Sequence, residues 1–307
     1  MKLVSVITVN FNQQIVTEEL LNSIYKKNTY TPLEIIVVDN GSVDNPLPKW
    51  QQKFPGVQFI RSEVNLGFAG GNNLAIKKAK GEYLFLVNND TEFEENLIEF
   101  LADSLEQNPD AGIVSPKIHY FGNSHIIQYA GYTKINYFTA RNRCIGQYEM
   151  DKGQYDNFIG ETAYIHGAAM MIRKEAIDKA GMMAENFFLY YEEYDWCEKM
   201  KRAGYKIYLN TNALIYHKES VSVGERSALK EYFMNRNRIL FTRRNTNVFT
   251  TFIFCCYFLF IVVPRNIIQY IAEGQYDFIP ILLKATWWNV THGVNSKELG
   301  YPVNNKK

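Results

Sequence analysis

The sequence predicts an α/β protein: a mostly parallel sheet with helices on both faces and a helical appendage at its C-terminal end. Three observations lead there. Four short runs (residues 4–9, 33–38, 57–60 and 83–87) are almost continuously apolar, as strands covered on both faces must be. Helix-period segments separate them. Three of the runs end in polar clusters, at Asn10, at Asp39 and at residues 88–90. Right-handed crossovers bring such ends to one edge, where open α/β sheets bind their ligands.

The elements follow in chain order. Residues 4–9 (VSVITV) form the first strand; the opening stretch is too short for a secretory apolar region and reads as buried. The loop Asn10-Phe11-Asn12 leads into a helix carrying Leu20, Leu21 and Ile24, and LEIIVV (33–38) runs into Asp39-Asn40-Gly41-Ser42. After VQFI (57–60), NLGFAGGNN (65–73) is a Gly-rich turn into a helix, either an anion cradle at a helix N-terminus or simply a tight turn. YLFLV (83–87) ends at Asn88-Asn89-Asp90. A carboxylate there suits a hard divalent cation beside a diphosphate, or it N-caps the helix through Leu97 and Leu101.

Residues 116–158 are irregular and rich in Tyr, Asn and Gly, and are expected to be loops and short strands that shape a substrate cleft. IHGAAMMI (165–172) reads as a strand of small residues before a helix over 174–179. FFLYYEEYDW (187–196) sets Glu192, Glu193 and Asp195 behind an aromatic wall, on the first turn of a helix through Cys197 and Met200. That is either a dipole-favoured first turn or a general base of raised pKa. His217 ends the strand ALIYH as a capped structural histidine or a ligand; His119 and His166 carry less signal.

Length and composition set the remaining bounds. A chain of 307 residues holds about two domains, or one large domain with an appendage. With 33 basic and 32 acidic side chains it has no global field for a polyanion, which excludes nucleic-acid binding by bulk charge. Four cysteines without CxxC or metal-ligand spacing point to a reducing, cytoplasmic compartment. The uncharged run 248–263 is 16 residues, short of the roughly 20 that span a bilayer. Arg243, Arg244, Lys284, Trp287 and Trp288 flank it, which suits a segment lying in a membrane interface; a core or homodimer-interface helix is the alternative. The tail after Ser296 is polar and expected to fray.

The ordered set VSVITVNFN, VVDNGS, NLGFAGGNN, YLFLVNND, HGAAMMIRKEA, FFLYYEEYDW and ALIYHKESVSV resembles the family 2 glycosyltransferases of the GT-A fold, a Rossmann-like architecture. It is most similar to their rhamnosyltransferase-like branch of bacterial surface-polysaccharide biosynthesis. The likeness covers about residues 3–245, so 1–245 is read as the catalytic domain and 246–307 as a helical, membrane-associating segment. It implies a dTDP- or UDP-sugar donor, a glycan or lipid-linked glycan acceptor, Mn or Mg as cofactor, and a peripheral place on the inner face of the cell membrane.

The resemblance also implies roles. Asp39 contacts the nucleobase, with Val9 and Asn10 lining the same pocket. Asn65, Gly67 and Asn73 lie along the ribose and diphosphate. Asn88-Asn89-Asp90 stands for the metal-binding DxD motif, with Asp90 the main ligand and His217 completing the shell; a nitrogen ligand tilts the choice to Mn. Glu193 occupies the position of the catalytic base, usually Asp, with Glu192 and Asp195 as alternatives. The added methylene at Glu193 and the neutral Asn88 depart from the family pattern and leave room for an inactive nucleotide- or glycan-binding scaffold. The implied reaction is a single displacement with inversion. A processive synthase is disfavoured by the missing QxxRW motif, and a nucleotidyltransferase by the missing Arg- and Lys-bearing Gly-rich loop after the first strand.

Overall fold

A computed structural model describes residues 1–123, 125–218 and 227–303; the 219–223 end of the ALIYHKESVSV motif lies outside them. A ten-stranded mixed sheet organises the chain. Strands β1 (Val4–Asn10), β2 (Leu33–Asn40), β3 (Val57–Ser62) and β4 (Tyr83–Val87) are parallel in the order β3-β2-β1-β4. Helices α1 (Gln14–Lys27), α2 (Leu47–Lys53) and α3 (Gly67–Ile76) connect them. Register sets Asn10 beside Asp39, and Asp39 beside Arg61.

Beyond β4 the sheet changes character. β9 (Ala169–Arg173) lies antiparallel between β4 and β6 (Ala111–Tyr120). β10 (Lys206–His217) runs parallel to β6, and the short β5 (Thr91–Phe93) closes the far edge antiparallel. β7 (Ile127–Tyr129) and β8 (Ile159–Glu161) pair with β6 and β10.

β6 runs as one ten-residue strand into the stretch from 116 expected to hold loops and short strands. Pro116, Lys117 and His119 interrupt its apolar pattern, and each has a physical excuse. Against β10 the register jumps from Asn210↔Pro116 to Leu214↔Lys117, so Pro116 sits at a bulge, where a missing N–H costs least. Buried Lys117 Nζ donates to Asp151 Oδ2 and Asp156 Oδ1, both at 2.7 Å, and His119 Nε2 meets Asp151 Oδ2 at 2.8 Å. These contacts button the 121–158 excursion onto the sheet. The strand expected over 165–172 starts only at Ala169; residues before it form a turn.

Apolar layers cover both faces. On one, Leu20, Leu21, Trp50 and Leu101 of α1, α2 and α4 (Leu97–Gln107) pack on Val4, Val6 and Phe85. The other joins Ile7, Leu84 and Ile172 to helices α5 (Lys174–Ala180), α6 (Glu192–Arg202) and α7 (Ala228–Asn245) through Ile177, Trp196, Met200, Leu240 and Phe241. Each such side chain contributes roughly 2–3 kcal/mol by leaving water.

α8 (Val248–Tyr257), a π-helical turn (Phe258–Val262) and α9 (Val263–Ala272) form one continuous helix of 25 residues. By length and composition it is sufficient to cross a bilayer, which overtakes the 16-residue reading. The π turn lies where Pro264 has no N–H for the carbonyl four residues back, so the helix continues instead of ending. Phe254, Phe258, Val262 and Tyr270 join the core, while Phe249, Phe252, Phe260 and Ile268 are 65–74% exposed. α10 (Phe278–Thr291) contributes Leu282 and Trp288 to the same core. The tail after Ser296, expected to fray, is held over its described residues 297–303: Arg236 Nη1 and Tyr232 OH donate to Leu299 O at 2.8 and 3.1 Å, and the Tyr301 ring packs at a tilt against Tyr232.

Candidate active site

The ends of β1 and β2 build a polar pocket. Asn10 Nδ2 donates to Asp39 Oδ1 at 2.8 Å and to Ser42 Oγ at 3.1 Å, and Asn10 Oδ1 accepts from Thr17 Oγ1 at 3.0 Å. Arg61, one strand over, donates to the other Asp39 oxygen, so this fully enclosed carboxylate has partners on both sides. Arg61 was not among the expected residues; its register beside Asp39 appears only once β2 and β3 are paired. Val9 leans on α3, where a Cβ at Gly71 would lie 2.9 Å from Val9 Cγ1.

At the start of α3, three backbone donors have partners within the protein. Gly67 N donates to Asn65 Oδ1 at 2.9 Å, Phe68 N to Phe188 O at 2.7 Å, and Leu66 N to Asn40 Oδ1 at 3.0 Å. Asn73 Nδ2 reaches Met183 O and Glu185 Oε1, both at 2.9 Å. Phe68 N and Asn73 thereby hold the 183–188 segment. Gly67 has φ +72°, and a Cβ there would fall 2.2 Å from Phe188 O, so the close approach demands glycine.

Asn88 and Asn89 tie β4 to its surroundings: Asn88 N donates to Ala168 O at 2.8 Å, and Asn89 Nδ2 to Thr17 Oγ1 at 3.0 Å. Asp90 leads into β5, and α4 starts at Leu97 behind Asn96, so Asp90 is no helix cap. β10 brings His217 Nε2 to 3.1 Å from Asp90 Oδ1. His217 Nδ1 lies 2.8 Å from Gln128 Oε1, a carbonyl that only accepts. Nδ1 therefore carries a proton, and in the neutral ring a lone pair on Nε2 faces the carboxylate. Both facing atoms are buried and without a hydrogen bond. Two buried acceptors at contact distance, one nitrogen and one oxygen, fit a divalent cation. Among the described residues no group of three or more His, Cys, Asp and Glu could hold one, so water and substrate oxygens would fill its other positions.

A turn links this pair to the acidic cluster. Ala168 N donates to His166 Nδ1 at 3.2 Å, and the His166 ring meets the His217 ring edge-on at 5.8 Å between centroids. Burial, then His217 alongside, push His166 down to about 3, so it stays neutral with its proton on Nε2. A Cβ at Gly167 would lie 3.9 Å from the Glu193 carboxyl.

The three acids on the first turn of α6 face three ways. Glu193 lies over Gly167; Glu192 lies within the field of Arg236. Burial raises both carboxyls, Glu193 to about 7 and Glu192 well above its ordinary value, because Glu193's charge adds to burial there. Each keeps one buried oxygen without a hydrogen bond. Asp195, fully buried, accepts from Arg244 Nε at 3.0 Å and Asn245 Nδ2 at 2.8 Å, so its role is to tie α6 to α7. Of the three candidate bases, the structure leaves Glu192 and Glu193 with free acceptor capacity.

Taken together, the parallel half, the inserted antiparallel strand and the polar strand-end pocket define a GT-A fold. Two solved structures share it: GalNAc-T7 with UDP, GalNAc and Mn2+ (TM-score 0.63, 15% identity, covering 79% of this chain and 48% of that one); and the mannosyltransferase PcManGT from Pyrobaculum calidifontis with GDP-Man and Mn2+ (TM-score 0.56, 14% identity, covering 94% and 87%). The chain belongs to glycosyl transferase family 2, whose sequence profile matches residues 5–181. Among its relatives, the uncharacterized protein y4gI of Sinorhizobium fredii is 28% identical over 79% of this chain, and the low-salt glycan biosynthesis hexosyltransferase Agl10 of Haloferax volcanii is 28% identical over 66%. The N-acetylglucosaminyl-diphospho-decaprenol L-rhamnosyltransferase of Mycobacterium tuberculosis is 22% identical over 62% of this chain and 68% of its own length. The chain spans 27% of the Sinorhizobium protein and 63% of the Haloferax one.

Proposed function

We propose that this protein is an inverting, metal-dependent glycosyltransferase. It would move a hexose, with rhamnose the first to test, from a nucleoside-diphosphate donor to a glycan or lipid-linked glycan in surface-polysaccharide assembly. The observation that supports this reading best is the facing pair Asp90–His217, joined through the His166–Gly167 turn to a buried carboxyl titrating near neutrality.

Asp39 and Asn10 would receive the base of the nucleotide. Asp90 and His217 would hold the cation, with Mn favoured by the nitrogen ligand. Bound there, the cation supplies positive charge to the leaving diphosphate. Glu193 takes the proton of the acceptor hydroxyl as that oxygen attacks the anomeric carbon; the bond to the diphosphate oxygen breaks on the opposite side and configuration inverts. Burial and the neighbouring Glu193 raise Glu192 well above the ordinary carboxylate range, while Glu193 is raised to about 7, which suits it to exchange a proton near neutrality. Support for the donor class comes from the fold neighbours, which carry UDP and GDP-Man with Mn2+. Support for a lipid-linked acceptor and rhamnose comes from the name of the mycobacterial relative.

The C-terminal helix supports docking on the inner face of the membrane. One side of Val248–Ala272 belongs to the protein core, and the other presents Phe249, Phe252, Phe260 and Ile268. A helix held along the protein surface in this way lies in an interface rather than crossing it.

The test is nucleotide release from UDP-, dTDP- and GDP-sugars with Mn, Mg or EDTA and a lipid-linked acceptor. Release of one nucleotide, lost with EDTA and with Asp90→Ala, is expected. Nucleotide binding without release from any donor would favour a scaffold, and no binding at all would overturn the site. Co-sedimentation with anionic vesicles, lost on changing Phe249, Phe252 and Phe260 to Ser, tests the docking; a soluble dimer that ignores vesicles would refute it.

A further inference from the structure

We propose that Asn237 and Arg236 of α7 are positioning residues for the base: they hold the turn before α6 in an otherwise unfavourable backbone, and so aim the Glu193 carboxyl at the His166–Gly167 turn. This rests on the assignment of Glu193 as base. Phe188, Tyr190 and Tyr191 have φ of +66°, +69° and +72°, a region that bulky side chains rarely adopt. Three such residues within four positions, directly ahead of Glu192 and Glu193, will not persist unless the surroundings enforce them.

The enforcement is visible carbonyl by carbonyl. Asn186 O accepts from Arg236 Nη2. Phe187 O accepts from Arg236 Nη2 and from Asn237 Nδ2, both at 2.9 Å. Phe188 O takes Phe68 N of α3 at 2.7 Å. Leu189 O and Tyr190 O accept from Asn237 Nδ2 at 2.7 and 2.8 Å. Every carbonyl from 186 to 190 is thus held by a donor from another element. Arg236 Nε donates to Asn237 Oδ1 at 2.8 Å, which turns the amide nitrogen of Asn237 toward the turn. Both side chains are fully buried, and the guanidinium lies 4.7 Å from the ring centres of Phe233 and Trp288.

This placement also separates the two glutamates. Arg236 lies on the Glu192 side, and Gly167 on the Glu193 side. A relaxed turn would let the first turn of α6 rotate and bring water to Glu193. Displacements of about 1 Å at a reacting group cost on the order of 100-fold in rate.

The experiment compares Asn237→Ala, Asn237→Asp and Glu193→Gln in the full chain. It measures kcat, the Kd of the nucleoside diphosphate with Mn, the pH profile of kcat, and thermal unfolding. Asn237→Ala is expected to lose roughly 100-fold in kcat, with nucleotide Kd unchanged and the acid limb of the profile moved toward ordinary carboxylate values. Asn237→Asp, which offers an acceptor to three carbonyls, should lose more. Where either variant fails to fold, Arg236→Lys keeps charge and burial but loses the fork, and should show the same split. A folded Asn237→Ala with near-normal kcat, or a kcat loss matched by an equal loss of nucleotide binding, overturns the proposal. If Glu193→Gln itself retains activity, it is the base assignment that fails; if only Glu193→Gln is inactive, the clamp alone fails.

Discussion

Replacing Glu193 with Gln should inactivate the protein and stabilise it at the same time. Burial raises the Glu193 carboxyl from 4.5 to about 7, and among the described residues no cation counters that rise. The titratable groups around it are Glu192, Tyr132, Tyr191, Tyr194 and Cys197; burial raises all of them, so the tyrosines and the cysteine are neutral when Glu193 ionises, and Glu192 is likewise pushed toward its neutral form. Below pH 4.5 the carboxyl is protonated in both folded and unfolded chains and carries no penalty. Between 4.5 and about 7 only the unfolded chain ionises, so stability falls as pH rises; above about 7 the penalty is complete. That shift corresponds to at most about 3 kcal/mol. Gln removes the charge, so urea unfolding at pH 8 should show the variant more stable by up to that amount, and at pH 4 no gain. kcat should fall by roughly 10²–10⁴. A variant less stable than the parent at pH 8, or a difference that ignores pH, would refute the reasoning.

Other outcomes follow from the same contacts. Gln128→Leu frees His217 to change tautomer, and Mn affinity, read by electron paramagnetic resonance, should fall about 10- to 100-fold. Lys117→Met leaves Asp151 and Asp156 without their shared cation; urea denaturation should register a loss of about 3 kcal/mol. Gly67→Ala adds a Cβ at positive φ against Phe188 O, and its melting curve should show a cost above roughly 1–3 kcal/mol.

The parallel half was legible because strands buried on both faces read as apolar runs whose ends must converge. Asn10, Asp39 and Asp90 could be singled out for that reason alone. β6 was not legible, because Lys117 and His119 are sensible in a buried strand only once Asp151 returns to meet them, and Pro116 only once β10 bulges. The partners of the α3 turn were not legible either: Phe68 N meets Phe188 O and Gly67 N meets Asn65 Oδ1, contacts no local pattern announces. Gln128, a polar residue on a three-residue strand, left no signal. Arg236 and Asn237 did leave one. Tyr232, Phe233, Arg236, Asn237, Leu240 and Phe241 recur at helical spacing and are all buried, so the polar pair interrupts an apolar stripe.

The arginines of α7 also bear on where this chain can be cut. Arg243 donates to Asn289 Oδ1 and His292 O, Arg244 to Val294 O and Asn295 Oδ1, and Arg236 to Leu299 O. Truncation after residue 245 would strip acceptors from three cations on the helix that grips the acidic turn. The proposed membrane docking is better removed by repainting Phe249, Phe252, Phe260 and Ile268 with polar side chains, which leaves the chain at full length.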